Sequence, residues 1–391
     1  MNHSPTSAVE NQPVALGQAE STRSPWWACA IALPLAAGLL LPASRAVWQG
    51  AGGRWVYILI VSSLIAFGLT PLVIRLAHAF DILDVPASRK VHSAPTPLLG
   101  GLAIYTAFIT AILANSILDR QVGAILIGGS LLVVVGILDD ILDVPAVIKL
   151  VAQLVAAAIV IGSGVAITLF PRFWFGNFLD AILTILWLLG ITNAMNFFDG
   201  MDGLATGLSI VCAGFLGLFA YLSFQPFLGW FAAAIAGSCL GFLPFNFRRR
   251  GPALVFLGDA GSTFLGFTLA ALAVKGDWAE NNIIDIGAPV LIFWVFIYDM
   301  TYITVARILT GKVRSFRDWI AYVGRDHLHH RLASLLGSKR QAVFLVFLFA
   351  VCTGLAAIAL AHASTMEAVI LILQAVVIVV IFSILEHAGN R

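Results

Sequence analysis

Two amide and two carboxylate side chains recur at three-residue intervals in NAMNFFDGMDGLA; they are Asn193, Asn196, Asp199 and Asp202. Residues three positions apart lie along one face of a helix, and the glycines beside both acids let the backbone approach a ligand closely. Such oxygen donors suit Mg²⁺, which keeps several waters and shares its coordination with substrate phosphates. The loop length and final glutamate of an EF-hand are missing. The stretch therefore predicts a magnesium site that handles phosphate.

Adjacent carboxylates occur in GILDDILD, where Asp139 and Asp140 end an apolar run and Asp143 follows one turn later. Neighbouring acids repel each other, so this arrangement is costly unless a cation or a proton acts on them. Two interpretations account for the pattern: a capped turn exposed to solvent, or a site that handles metal or phosphate.

A third acidic position is Asp259 in FLGDAGST, a glycine-rich turn that leads into an apolar segment. A turn of this kind at a helix N-terminus binds anions, and its aspartate could hold a metal between protein and phosphate. A simple aspartate cap explains the turn equally well. The lysine of a Walker A motif is missing, so a P-loop nucleotide hydrolase is not indicated.

Histidine and arginine side chains cluster in RDHLHHRL, which contains His327, His329, His330 and Arg331. No cysteine or acid at suitable spacing completes the four ligands of a zinc site. Histidine and arginine donors that converge on a pyrophosphate or a sugar fit the cluster better.

The chain is strongly apolar, with 60% hydrophobic and 11% charged residues among 391 and a mean hydropathy of +0.97. Soluble domains carry about 25% charged residues, so this composition is typical of an integral membrane protein. Helices are expected because a lipid-embedded segment must satisfy its own backbone. We predict an all-α, polytopic membrane protein with about 11–12 transmembrane helices and active-site loops on the cytoplasmic face. The predicted spans are 27–42, 55–80, 98–118, 122–138, 147–169, 178–197, 204–224, 227–245, 256–273, 283–309, 341–361 and 368–385.

Four regions follow from these spans. They are 1–26, a polar disordered tail; 27–54, an additional N-terminal transmembrane helix; 55–340, the catalytic transmembrane core; and 341–391, a C-terminal pair of transmembrane helices. A signal peptide cleaved near Ala46 is the alternative for the first hydrophobic segment, but the region before it is long and not basic, which favours a retained helix. Asp299 lies inside a predicted span, where a functional role and a structural hydrogen bond are equally good explanations. It is therefore not among the candidate site residues.

Lysine and arginine are unevenly distributed between the two predicted faces. If the N-terminus is inside, only five of the 22 fall on outer connections: Arg45, Arg54, Arg120, Arg172 and Lys275. Because positive residues favour the cytoplasmic side, this distribution places the motif-bearing loops there. Those loops are 81–97, 139–146, 198–203, 246–255 and 310–340.

The hexapeptide DILDVP occurs twice, at 81–86 and 140–145. Both copies lie where a predicted helix meets the inner surface. Both combine an aspartate that can cap the next helix with a proline that is tolerated in its first turn. Because the flanking residues differ, we predict a recurrent turn and not a duplicated domain.

Five motifs in order, between about residues 55 and 332, resemble the polyprenyl-phosphate N-acetylhexosamine-1-phosphate transferase superfamily, glycosyltransferase family 4. They are DVPASRKVHSAPTPLLGG, GILDDILDVPAVIKLVAQ, NAMNFFDGMDGLA, VFLGDAGSTFLG and RDHLHHRL. The branch that transfers GlcNAc-1-phosphate to undecaprenyl phosphate is most similar. Its peptidoglycan counterpart has three consecutive histidines, whereas here Leu328 interrupts the run.

The resemblance implies transfer of a sugar-1-phosphate, with GlcNAc-1-phosphate favoured, from a UDP-sugar to undecaprenyl phosphate, with Mg²⁺ (Mn²⁺ as an alternative) and release of UMP. It also implies the start of a cell-envelope polysaccharide at a bacterial cytoplasmic membrane, no nucleic-acid partner, and either a monomer or a homodimer. The implied metal ligands are Asn196 and Asp259. The implied catalytic residues are Asp139, Asp140, Asp199, Asp202 and Lys149. The implied substrate-binding residues are Arg89, Lys90, Asn193, His327, His329, His330 and Arg331.

Other interpretations stay open on sequence alone. A transporter or flippase of lipid-linked sugars also needs many helices, but it places polar residues near the bilayer midplane, whereas the acids here cluster at predicted inner helix ends. Another UDP-N-acetylhexosamine or UDP-MurNAc-pentapeptide is the alternative donor. Direct attack by the lipid phosphate and a two-step route through a phospho-aspartate are both compatible with the residues.

Overall fold

The chain folds into a bundle of helices, which confirms the all-α, polytopic class. A computed structural model describes residues 26–48, 53–85, 95–278, 282–315, 324 and 326–360, together with 363, 366–367, 369–371, 373–378 and 380. Most of the predicted tail lies outside the described residues, as do two predicted substrate-binding residues, Arg89 and Lys90.

The helices of the described part follow one another with short connections. In chain order they are α1 Trp26–Leu40, α2 Pro42–Trp48, α3 Gly53–Ala79, α4 Gly100–Ala114, α5 Arg120–Leu142, α6 Ala146–Gly162, α7 Trp174–Phe198, α8 Leu204–Leu222, α9 Pro226–Asn246, α10 Gly258–Lys275, α11 Asn282–Ile292, α12 Trp294–Leu309, α13 Leu328–Leu336 and α14 Lys339–Leu360. Between α3 and α4, two short strands, β1 Leu83–Asp84 and β2 Thr96–Pro97, pair in antiparallel fashion.

Six helices of the described part are long and apolar enough to cross a membrane: α3, α5, α7, α8, α9 and α14. The number rises to eight if each bent pair is one span; α1 and α2 meet at 76°, and Asp285–Ile292 meets α12 at 74°. Helices α4 and α6 are apolar but have only 15 and 17 residues. A helix of 15 residues is about 22 Å long, shorter than the roughly 30 Å of hydrocarbon. The larger predicted number of spans includes these short helices.

Helix α10 is enclosed by its neighbours, among them α4, α5, α7 and α8. Its sequence has no polar stripe, and a helix that is apolar all round is buried in a bundle. Small residues allow close approach: a Cβ on Gly101 of α4 would lie 2.3 Å from the Cα of Gly261, and one on Gly136 of α5 would lie 2.4 Å from the Cα of Ala260. These contacts press the start of α10 against the end of α5.

Polar side chains fasten the loops at the end of the bundle where α10 finishes. Lys275 Nζ lies 2.9 Å from Asp119 Oδ2 and 2.6 Å from Gln121 Oε1. The buried carboxylate of Asp180 accepts hydrogen bonds from the backbone N–H groups of residues 169 and 170, at 2.9 and 3.1 Å. A small cavity of about 210 Å³ lies beside Lys275. Lys275 and Asp180 are therefore engaged in holding loops together at this end.

The two copies of DILDVP have different backbone conformations, so the predicted recurrent turn is wrong. In the first copy, Asp81 is left-handed (φ 55°) just beyond α3, and β1 follows. In the second copy, α5 continues through the first half of the motif, and the left-handed residue is its C-cap, Asp143 (φ 53°). Asp140 of the second copy accepts a hydrogen bond from Asp259 N of α10, and Asp139 just before it accepts one from Val144 N. The hexapeptide alone therefore does not decide where a helix ends.

Gly101→Ala should destabilise the bundle because the new methyl group collides with the backbone of Gly261. Overpacking of this kind costs about 1–3 kcal/mol, so we expect a clearly lower melting temperature for the purified protein. Gly123→Ala in α5 is the matched control, since a Cβ there has no atom within 4 Å. Equal melting temperatures for the two variants would contradict the close packing of α4 on α10.

Candidate active site

Lys149 lies between two carboxylates that are 120 positions apart in the sequence. Its Nζ is 2.7 Å from Asp139 Oδ2 and 3.3 Å from Asp259 Oδ2. The turn at Asp143 folds the first turn of α6 back beside the end of α5, which places the ammonium there. Asp139 also accepts a hydrogen bond from Val144 N at 2.7 Å. The pairing links α5, α6 and α10 at one point.

Asp140 points at the start of α10. Its Oδ1 accepts a hydrogen bond from Asp259 N at 3.0 Å, whereas its buried Oδ2 has no hydrogen-bond partner in the described part of the chain. Gly258 makes this approach feasible: its φ is +76°, and a Cβ there would lie 2.7 Å from Asp140 Oδ2. The glycine-rich turn thus serves to bring two carboxylates together and is more than a helix cap.

Asn196, near the end of α7, contacts the same turn. Its Nδ2 donates to Asp259 Oδ1 at 3.0 Å and to Ser262 Oγ at 2.9 Å. Asn193, one turn earlier, makes a reciprocal amide pair with Gln153 of α6, at 2.8 and 3.2 Å. Asn196 therefore belongs to the acidic cluster, whereas Asn193 fastens α6 to α7 beneath it.

Asp199 and Asp202 follow α7 directly and border a cavity of about 970 Å³. Burial raises the pKa of Asp199 well above its usual range, and the nearby carboxylates of Asp259 and Asp140 raise it further. Asp202 Oδ2 accepts a hydrogen bond from Ala253 N at 2.9 Å. Asp199 is thus a carboxylate that its acidic neighbours repel. Asp202 instead holds the loop that follows α9.

The loop after α9, which carries Arg248, Arg249 and Arg250 and is called the basic loop below, forms another border of this cavity. The guanidinium of Arg340 donates to the backbone carbonyl oxygens of Arg248 and Arg249 and lies 5.4 Å from the ring centroid of Phe247. Arg248 and Arg340 both line the cavity with the carboxylates of Asp140, Asp199 and Asp259. Negative and positive groups therefore share one cavity, as binding of a metal and of phosphates requires.

The segment 326–331, called the histidine segment below, contacts the cavity through one histidine side chain. His330 lines it, whereas His327 and His329 are 4% and 0% exposed. The guanidinium of Arg331 lies 4.1 Å from the ring centroid of Tyr302. Of these predicted substrate-binding residues, the structure therefore brings only His330 to the cavity wall.

Several residues of the site were not expected from the sequence. Gln153 and Ser262 fix the two amides of α7. Asn246, at the end of α9, accepts from Gly203 N and donates to Val255 O at 3.1 and 3.0 Å. Asp299, which lies inside a predicted span, contacts His327. A polar side chain in an otherwise apolar helix was the available signal for Gln153, Asn246 and Asp299.

The arrangement fits a hard divalent cation such as Mg²⁺. Carboxylate oxygens converge, and a buried oxygen without a partner, such as Asp140 Oδ2, is costly unless something pairs with it. Within the described ranges, no three His, Cys, Asp or Glu side chains form a closed metal-binding group. Mg²⁺ needs only one or two protein carboxylates because waters and substrate phosphates complete its coordination. A closed structural zinc site is a poorer fit.

Comparisons with known proteins show which family the chain belongs to. The family model described as "Glycosyl transferase family 4" matches residues 122–277, from α5 to just beyond α10. A Bacillus subtilis protein named "Probable undecaprenyl-phosphate N-acetylglucosaminyl 1-phosphate transferase" is 34% identical over 318 residues, which cover 80% of this chain and 86% of the relative. The chain belongs to glycosyl transferase family 4. The resemblance drawn from the five motifs is confirmed.

Two further relatives have related names. A "Decaprenyl-phosphate N-acetylglucosaminephosphotransferase" of Mycobacterium leprae is 30% identical and covers 74% of this chain and 79% of the relative. A "Phospho-N-acetylmuramoyl-pentapeptide-transferase" of Heliobacterium modesticaldum is 33% identical over a shorter region, 56% of this chain and 74% of the relative. Both names describe transferases, as family membership leads one to expect.

Lys149→Gln should reduce the transferase turnover of the purified protein by about 100-fold or more, the scale seen when one preorganised charged or polar donor is removed. The two carboxylates that share the ammonium would then repel each other. Lys275→Gln removes a comparable ion pair at the opposite end and should leave turnover within about twofold of wild type. The measurement is the initial rate of each variant, compared only between proteins that have the same melting temperature. Similar turnover in the two variants would exclude a role of Lys149 in the site.

Proposed function

We propose that this protein transfers GlcNAc-1-phosphate from UDP-GlcNAc to undecaprenyl phosphate, releases UMP and depends on Mg²⁺. The observation that carries the proposal is the single cavity in which Asp140, Asp199 and Asp259 face His330 and Arg340. The names of two relatives support the substrate class, because they pair a polyprenyl phosphate with GlcNAc phosphate.

The lipid phosphate is itself a competent nucleophile. A phosphate monoester has a second pKa near 6, so the acceptor is mostly a dianion at neutral pH. Its oxygen attacks the sugar-bearing phosphorus of the donor, the bond from that phosphorus to the bridging oxygen breaks, and UMP departs with the electron pair. No protein nucleophile is needed. We therefore propose direct transfer in preference to a phospho-aspartate intermediate.

The main task of the protein is to bring anions together. Lys149 and Arg248 supply fixed positive charge, which is worth most in a site with little water. Asn196 and Lys149 keep the Asp259 carboxylate in place from two sides. A bound Mg²⁺, held by Asp259 and Asn196, would supply Lewis-acid stabilisation of phosphate charge. Asp139 is engaged by Lys149 and Val144 N, so orienting the lysine is its proposed role.

The site lies where a soluble donor and a membrane-bound acceptor can meet. Its residues come from the ends of α5, α7 and α9 and from the start of α10, and not from the middle of the spans. The uneven distribution of lysine and arginine supports a cytoplasmic orientation of this end. A bacterial cytoplasmic membrane is therefore the proposed location.

UMP release by purified protein tests the reaction. With undecaprenyl phosphate and Mg²⁺, we expect release from UDP-GlcNAc, much less from UDP-glucose, UDP-GalNAc or UDP-MurNAc-pentapeptide, and none after EDTA. Wild type without acceptor and Asp259→Asn with acceptor are the controls, and both should be inactive. Absence of release from every donor would overturn the proposal. Exchange of labelled UMP into UDP-GlcNAc without acceptor would overturn direct transfer alone.

Binding of Mn²⁺, followed by electron paramagnetic resonance, tests the metal site independently of turnover. Asp259→Asn should weaken binding about tenfold or more, since ligand and outer-shell changes typically have effects of this size. Asp285→Asn, at the small cavity of the opposite end, is the control and should bind Mn²⁺ as wild type does. Unchanged binding by Asp259→Asn would contradict the ligand assignment.

A further inference from the structure

Helix α12 carries a carboxylate inside an otherwise apolar stretch. Asp299 is 0% exposed, and an ionised group in such a position is retained only when partners compensate for the lost hydration. Each of its oxygens has a partner in the histidine segment. Oδ2 accepts a hydrogen bond from His327 Nδ1 at 2.8 Å, and Oδ1 accepts one from Leu328 N at 2.7 Å. Arg331 lies 3.7 Å from Oδ1.

This pairing gives α13 an N-terminal cap from another helix. His327 occupies the N-cap position with extended backbone, but its own side chain caps no backbone N–H. Asp299 accepts the N–H of the first helical residue instead, and a carboxylate at this end also interacts favourably with the helix dipole. The direction in which α13 begins is therefore fixed by a contact with α12.

A second contact between the same two elements lies further along α12. Arg307 donates to both carboxylate oxygens of Asp326, from Nε at 2.9 Å and from a terminal nitrogen at 2.6 Å. This hydrogen bonding lowers the pKa of Asp326, as does the charge of Arg307. A bidentate guanidinium–carboxylate pair fixes orientation as well as distance. Residues 326–328 are thus held at two points.

The anchoring determines what each histidine can do. His327 is stacked on Phe197, with centroids 4.6 Å apart. His329 is fully buried, and its Nε2 would lie 3.1 Å from a Cβ on Gly200, so it packs against the turn that carries Asp199. Burial lowers the pKa of His329 well below its usual range. Two histidines are thus packing residues, and His330 alone borders the cavity.

We propose that Asp299 is a positioning residue that, through His327 and the N-terminus of α13, holds His330 against the sugar-phosphate part of the donor. This inference rests on the proposed function for its substrate. It predicts that loss of the Asp299 contacts impairs donor binding selectively, because we place the acceptor phosphate at another wall of the same cavity, beside Asp140.

Steady-state kinetics with a double-mutant cycle test the proposal. Asp299→Asn should raise KM for UDP-GlcNAc about tenfold or more while KM for undecaprenyl phosphate stays within about twofold. His330→Ala should have the same signature. If Asp299 acts through His330, the double variant should be no worse than His330→Ala alone, within about twofold. Additive losses, or equal changes in both KM values, would overturn the proposal.

A matched control separates positioning from general damage. Asp180→Asn alters another buried carboxylate that accepts two backbone hydrogen bonds, at the opposite end of the bundle, and should leave both KM values unchanged. Asp326→Asn weakens the second contact that holds residues 326–328, the ion pair with Arg307, and it does so at a more exposed residue. It should raise KM for the donor less than Asp299→Asn does. A donor KM unaffected by Asp326→Asn, in a protein that melts like wild type, would count against the anchor.

Hydrogen–deuterium exchange gives a readout that needs no turnover. Asp299→Asn should speed exchange in a peptide that covers 326–331, since the Leu328 amide loses its charged acceptor, and Asp180→Asn should not. If wild type turns over no UDP-sugar but this exchange pattern appears, the proposed function fails and the anchor stands. If wild type is active but the pattern is absent and the donor KM of Asp299→Asn is normal, the positioning proposal fails by itself.

Discussion

The ion pairs of Lys149 with Asp139 and Asp259 are the interaction on which the acidic site depends. Several carboxylates converge at one end of the bundle, and at short range in a partly dry setting their mutual repulsion is strong. One ammonium, placed between two of them, allows α5, α6 and α10 to meet there. The repulsion that remains falls on Asp140 and Asp199, which line the cavity beside Asp259. A site with incompletely balanced negative charge is one in which a divalent cation and its phosphates bind favourably.

Close helix packing makes this ion pairing geometrically feasible. Gly101 and Gly136 let α4 and α5 touch the backbone of α10, and Gly258 lets its first turn approach Asp140. In a bilayer, helices associate through this kind of close contact and not through the hydrophobic effect. The same glycines therefore contribute to stability and to chemistry. A bulkier residue at any of these three glycines would push the start of α10 away and would move the Asp259 carboxylate with it.

The sequence predicted the helical class and the acidic motifs because both depend on local pattern. Hydropathy identifies apolar helices, and three-residue spacing places Asn193, Asn196 and Asp199 on one side of α7. Local pattern does not identify the partner helix. Asn193 was predicted to bind substrate, but Gln153 of α6 occupies its amide; its substrate role stays a prediction. Helix ends were equally out of reach, as the two conformations of DILDVP show, because contacts distant in sequence fix them.

Asp299 also bears on the choice between an enzyme and a transporter. A transporter places polar groups near the midplane to meet its cargo, and Asp299 is an acid inside a predicted span. In the structure this carboxylate is fully buried and engaged by His327 and Leu328 N, so it anchors a loop. Over the ranges that the structure describes, the two cavities at opposite ends of the bundle share no lining residue. The larger one joins the acids to the basic loop at one end only. Together with membership of glycosyl transferase family 4, this one-sided arrangement of acids and basic groups favours a transferase over a transporter.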